Sequence, residues 1–195
     1  MAEKVSAKKF LIDFRRVIND SESVDSYQDS KAFTPVVTKK IRSVIDSYGL
    51  TSEQEYYRID VIGYESHYKK IKNKANAPVK PYAWDMKIAV EHENDDNLWM
   101  DEVVKLSHIC CDLRVVIGYL PMKKRAANED EKCLAYVVDV MKEHCKCFDN
   151  LKNKDNEFMI IIGNSGTDAK HPETYFNYNG YLFNPETEKF ELLDT

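Results

Sequence analysis

The chain has little of what would set it apart from ordinary globular proteins. Its 195 residues include only six glycines, six prolines and two tryptophans. No repeat, low-complexity tract or Pro/Gly-rich linker appears, which argues against an array or a string of tethered domains. The longest apolar runs, such as Phe158–Gly163, fall far short of the roughly 20 residues needed to cross a bilayer. Positive charge is not in excess: 28 Lys and Arg face 33 Asp and Glu, a net of −5. That argues against indiscriminate coating of nucleic acid but leaves room for a local basic surface. The five cysteines are an odd number and sit in apolar or helical stretches, so no disulfide framework is expected. The start, Met1–Lys9, is charged and helix-periodic rather than signal-like, so a cytoplasmic location is expected.

What is present, 43% hydrophobic and 31% charged residues, suits one domain with a good-sized core over 1–195. Apolar residues at helical spacing predict a helix over 3–19. Asn19–Lys31, rich in Ser and Asp, reads as a loop. Thr34-Pro35 reads as an N-cap and first helical position, opening a helix that Gly49 stops. Thr51-Ser-Glu reads as a short extra turn, and Tyr56–Tyr64 as a strand. Further on the pattern predicts a strand near 86–93, a helix over Leu98–Asp112 capped by Asn94–Asn97, and a strand over Leu113–Leu120. Lys123-Lys-Arg125 makes a basic turn. A long helix over Glu131–Leu151, a strand over Phe158–Gly163 and a hairpin of Tyr175–Phe183 with Lys189–Leu193 complete the chain. This order implies a mixed β-sheet with helices on its faces.

Carboxylates mark the unusual positions. Asp60 lies among Ile59, Val61 and Ile62, where strands rarely carry an acid unless it is exposed or functional. Glu91 and Glu93 leave the most apolar strand on one face, with His92 on the other. Opposed residues in a hairpin lie about 4.5–5.5 Å apart, and Glu91 and Glu93 are roughly 7 Å apart along their strand. Asp60, Glu91 and Glu93 can therefore reach one cation, and oxygen-only ligands favour Mg²⁺ or Mn²⁺. Glu102 lies at the edge of the next helix's buried stripe (Trp99, Val103, Leu106, Cys110), and Lys105 stands one turn further on its polar side. His92 reads as a packed residue rather than a base. The segment 65–83 holds Lys69, Lys70, Lys72, Lys74 and Lys80. It is either a solvated loop or a contact surface for phosphates beside the site. His108, Cys110, Cys111 and the His144–Cys147 run match no usual zinc spacing and read as packed small hydrophobes.

Asp60 after an Arg-Ile lead-in, Val90-Glu-His-Glu93, and the helix and strand that follow resemble the PD-(D/E)xK nuclease superfamily. The resemblance covers roughly residues 53–120. It implies a restriction-endonuclease-like α/β fold: a mixed sheet flanked by helices, with N-terminal helices over 1–50, a nuclease-like core over 53–151, and a final core strand and C-terminal hairpin over 157–195. It also implies a hydrolase, a magnesium-dependent endonuclease, with Asp60 as first acid and Glu91 as second. Glu93 stands where the family has lysine, as in its Glu-x-Glu variant, or Lys105 with Glu102 supplies the displaced charge from the helix. The implied partner is nucleic acid, DNA before RNA, with a two-fold dimer where both strands are cut. The alternative is a catalytically degenerate member that acts as a binding or assembly module.

Overall fold

Ser6 accepts a hydrogen bond from the Lys9 backbone N–H and opens helix α1, Ala7–Ile18, which buries Phe10, Leu11, Phe14 and Ile18. The computed structural model describes residues 5–65, 85–95, 98–126, 129–153, 155–166 and 171–194. The stretch expected to be a loop after α1 is instead helical. Asp20 caps α2, Ser21–Ser26, and Asp29 caps α3, Ser30–Ser47. The Ser/Asp content that suggests a loop is here capping chemistry, with each aspartate accepting from N–H groups of the turn it starts. Thr34-Pro35 is accordingly not the helix start; Pro35 sits inside α3. Gly49, at φ +75°, ends α3 as expected.

Thr51–Tyr56 is strand β1 rather than a turn. Its side chains are mostly exposed, which hides the apolar alternation by which a strand is recognised. Tyr57 and Arg58, both at positive φ (50° and 65°), form the tight connection to β2, Ile59–Glu65. Strand β3, Asp85–His92, pairs antiparallel with β2 and parallel with β4, Leu113–Leu120. The β3–β4 crossover carries α4, Trp99–Ser107, whose N-cap residue Leu98 makes no side-chain cap. Of the expected Asn94–Asn97 cap, Asn94 bonds instead to Ser30 and Thr34 of α3, and residues 96 and 97 lie outside the described residues. Cys110 lies beyond the helix and is exposed, with Cys111 buried in its stead.

The short helix α5, Met122–Ala126, takes the place of the expected basic turn. Helix α6 spans Glu129–His144, and a 3-10 turn at Phe148–Lys152 forms the end of what reads in sequence as one helix. Strand β5, Glu157–Asn164, runs parallel to β4. Strands β6, Asn179–Asn184, and β7, Lys189–Leu192, make the C-terminal hairpin.

The seven strands of the described residues form one mixed sheet in the order β1 to β7. One face is covered by α1 and α3, whose Phe14, Ile41 and Ile45 pack with Val61, Val90 and Ile117. The other is covered by α4 and α6, whose Trp99, Val103, Leu134 and Met141 pack with Ile62, Ala89 and Val116. Every residue of β4 is buried, as expected of a central strand under two helical layers. Among the described residues no helix is long and apolar enough to cross a membrane.

Candidate carboxylate site

Alternation along β3 divides its end cleanly. His92 falls on the α1/α3 side, where its Nε2 lies 2.8 Å from the Tyr119 hydroxyl and its ring is edge-on to Tyr119. Burial holds its imidazole neutral, pushing the pKa down to about 3. As expected from the strand geometry, it is turned away from the acids.

Glu91 faces the α4 side and is 1% exposed. The β2–β3 register pairs Val61 with Val90 and Ile62 with Ala89, which sets Asp60 opposite Glu91. Asp60 is fixed there by its Oδ2, which accepts the backbone N–H of His92 at 2.8 Å. The strand pair thus presents two carboxylates side by side on one face.

Helix α4 supplies the rest. Trp99 is fully buried against the sheet directly over Gly118, so close that a Cβ there would lie 2.5 Å from Trp99 Cγ. That contact sets the height of the first turn above β4. Glu102 and Lys105, on successive turns, then reach over the end of β3. The Lys105 ammonium lies 2.8 Å from Glu91 Oε1 and 2.7 Å from Glu102 Oε2. Both carboxylate oxygens are buried. The ammonium bridges the two carboxylates at close range.

The electrostatics follow from this packing. Burial pushes the Glu91 carboxyl up to about 8; Lys105 opposes the rise, while Asp60 and Glu102 add to it. Asp60 is also raised by burial, against the pull of the His92 N–H and Lys105. Burial acts to lower Lys105, but Glu102 and Glu91 outweigh it and hold the ammonium charged above its usual range. Two carboxylates, from β3 and α4, flank the ammonium and a third, Asp60 of β2, lies beside Glu91, so the group lacks positive charge when all ionise.

Glu93 stands apart. Its Oε1 accepts the Asp95 backbone N–H at 2.8 Å, closing the loop after β3. Lys69, Lys70, Lys72, Lys74 and Lys80 lie outside the described residues.

The donor set suits a hard cation: all oxygen, with Glu91 Oε1 and Glu102 Oε2 buried. The spacing is that of the lysine-bridged state. Among the described residues, the one group of three His, Cys, Asp or Glu side chains whose ligand atoms lie within 4.8 Å of one another is His108, Cys145 and Cys147. Sequence spacing misses that convergence because two helix ends far apart in the chain create it; the visible trace is Cys145-Lys-Cys147 directly after an amphipathic helix. No protein-family profile matches the chain and no curated protein matches it, so the reading of the site rests on its own geometry.

Proposed function

We propose that the protein is a metal-dependent nuclease, hydrolysing phosphodiester bonds in nucleic acid, on a fold of the restriction-endonuclease-like type. The observation that carries this reading is the convergence of Glu91 and Glu102 on the Lys105 ammonium, with Asp60 beside Glu91 and within the field of the same ammonium. The element order supports it: one acid enters β2, one leaves the adjacent antiparallel β3, and α4 leads into a parallel β4. This is the arrangement that the resemblance to PD-(D/E)xK nucleases implies.

Asp60 and Glu91 would hold Mg²⁺ or Mn²⁺, with Glu102 as the neighbouring carboxylate. A bound ion of this kind polarises a phosphoryl oxygen and lowers the pKa of an attacking water. The chain's own groups do the remainder. Lys105 takes the role of the family's lysine, its ammonium placed to hold a water or to stabilise charge growing on the phosphate. Glu102 keeps that ammonium over the strand end. The His92 N–H orients Asp60. Glu93, turned into its own loop, fits the lysine position less well than Lys105.

Lys105 also favours a second reading. It already neutralises Glu91, and the carboxylate oxygens are not gathered at ligand spacing. A degenerate site whose ion-pair network serves structure or assembly would look the same. Incubation of supercoiled plasmid, and separately of structured RNA, with Mg²⁺, Mn²⁺ or chelator separates the two. The nuclease reading requires cation-dependent nicking that disappears in a folded Glu91→Ala variant. Full activity in that variant sinks the assignment, and absence of nicking by the wild-type chain with either cation favours the degenerate site.

A further inference from the structure

We propose that His108, Cys145 and Cys147 form a binding site for a thiophilic divalent cation of the zinc class, at the C-terminal end of α4. The site is made by two helix ends. His108 caps the C-terminus of α4, and Cys145 and Cys147 follow the C-terminus of α6. Their ligand atoms already lie within 4.8 Å of one another, and Cys147 Sγ is 2.9 Å from His108 Nδ1. Tetrahedral zinc, with Zn–S of about 2.3 Å and Zn–N of about 2.0–2.1 Å, sets such a pair roughly 3.5 Å apart. Loading the site thus spreads the His108–Cys147 contact slightly and draws Cys145 in, within reach of side-chain rotation.

The surroundings are those of a built site rather than of three side chains meeting by chance. Ser107 Oγ lies 3.7 Å from Cys145 Sγ, and the Ser107 carbonyl accepts Asn150 Nδ2 at 3.1 Å. The last residue of α4 is therefore tied to Cys145 and to the 3-10 turn at Phe148–Lys152. Phe148 and Leu151, buried under the same loop, fix the backbone on which Cys147 stands. His108 is exposed while both cysteines are half-buried, so a fourth, solvent-derived ligand has access from the outer side.

Charge distinguishes a cation site from the other use of a Cys–His pair. A nucleophilic cysteine needs its thiolate stabilised, which helix N-termini do and helix C-termini oppose. Here the C-terminal ends of α4 and α6 both face the cluster. The negative ends of their helix dipoles favour a positive ion, and two thiolates with one divalent ion balance charge as each thiol releases its proton to solvent. The soft S₂N donor set separates this site from the all-oxygen carboxylate group, which selects hard cations. The inference does not depend on the nuclease reading.

Cobalt(II) tests it directly on the full chain, reduced and freed of metal. Titration should produce thiolate-to-cobalt charge-transfer absorption with the intense visible bands of tetrahedral cobalt, saturating at one ion per chain. Zn²⁺ should bleach the spectrum and excess Mg²⁺ should not. Cys147→Ser should abolish the charge-transfer signal of the wild-type site. His108→Ala should weaken affinity by at least the roughly tenfold that loss of even an outer-shell partner costs. Cys110→Ser should leave the spectrum unchanged. Circular dichroism checks that each variant is folded, and Zn²⁺ should raise the melting temperature of wild type but not of Cys147→Ser. Absence of the charge-transfer bands in the wild-type chain overturns the proposal, as does their survival in Cys147→Ser or their loss in Cys110→Ser.

Discussion

Lys105 on α4 and Glu91 at the end of β3 meet at 2.8 Å, with Glu91 2% and Lys105 34% exposed at the side chain. The pair is lopsided: a buried acid is held by a cation that solvent can still reach. Such a pair leaves the acid's proton affinity high and its charge only partly compensated. Glu102 and Asp60 deepen that imbalance, which is why the predictions centre on these side chains.

Glu91→Gln is expected to abolish cation-dependent nicking and to change how stability varies with pH. The native carboxyl releases its proton near pH 8, against about 4.5 ordinarily. Between those values the folded chain holds a proton that the unfolded chain has lost. The stabilisation is complete below about pH 4.5 and is lost as pH rises through about 8. Glutamine removes this dependence, so the variant should gain roughly 1–3 kcal/mol on wild type at the alkaline end. Urea melts at several pH values check it; parallel wild-type and variant profiles refute the buried-acid assignment.

Divalent cation binding should compete with that proton. Mg²⁺ or Mn²⁺ at about 100 times its dissociation constant stabilises the fold by about 2.7 kcal/mol. The gain in wild type should be larger above pH 8 than below pH 6, because a proton on Glu91 must otherwise leave first. Thermal melts with Mn²⁺ and with chelator across that range measure it. Coincident melts at every pH point to the degenerate reading.

Lys105→Met removes the one cation that, among the described residues, stands between Glu91 and Glu102. Two buried carboxylate oxygens are left facing each other, and the loss should be about 1–2 kcal/mol near pH 8. That is below the roughly 3–5 kcal/mol of a fully buried pair because Lys105 is a third exposed. The deficit should shrink in acid, where the carboxyls are neutral, and again with Mg²⁺, which takes the ammonium's place. Nicking at saturating metal should fall by about 10²-fold or more. A variant as stable and active as wild type would reduce Lys105 to a surface side chain.

Much of this arrangement is legible in the residues. The period-two pattern of Lys87–Glu93 separates Glu91 from His92, and the structure keeps them on opposite faces of the sheet. The helical stripe of α4 places Glu102 and Lys105 above the strand end, because Trp99, Val103 and Leu106 can only face the core. Other features are invisible where local chemistry is ambiguous. Asp20 and Asp29 look like loop residues until the N–H groups they cap are known. The polar side chains of β1 hide a strand that is fixed by its pairing with β2. Whether Glu93 joins the acids depends on the backbone turn after β3, which lets it bond to Asp95 instead. The His108–Cys145–Cys147 cluster depends on how two helix ends pack, which no local spacing encodes.

Gly118→Ala tests whether α4 positions the site. Gly118 lies on the fully buried strand β4, directly beneath Trp99. An added Cβ would meet Trp99 Cγ at 2.5 Å and Trp99 Cβ at 2.7 Å, too close for any rotamer change alone to relieve. Trp99 has no room to sink, so the first turn of α4 must lift away from the sheet. Overpacking of this kind costs about 1–3 kcal/mol. Glu102 and Lys105 ride on the same helix, and the 2.8 Å contact to Glu91 should lengthen with it. A displacement of about 1 Å in a catalytic group can cost about 10²-fold in rate. The variant should therefore stay folded, melt earlier, and lose nicking out of proportion to its lost stability. It should also weaken the pH dependence assigned to Glu91, since a lifted helix admits water to that carboxyl. Loss of stability with unchanged nicking and an unchanged pH profile would show that the height of α4 does not set the geometry of the site.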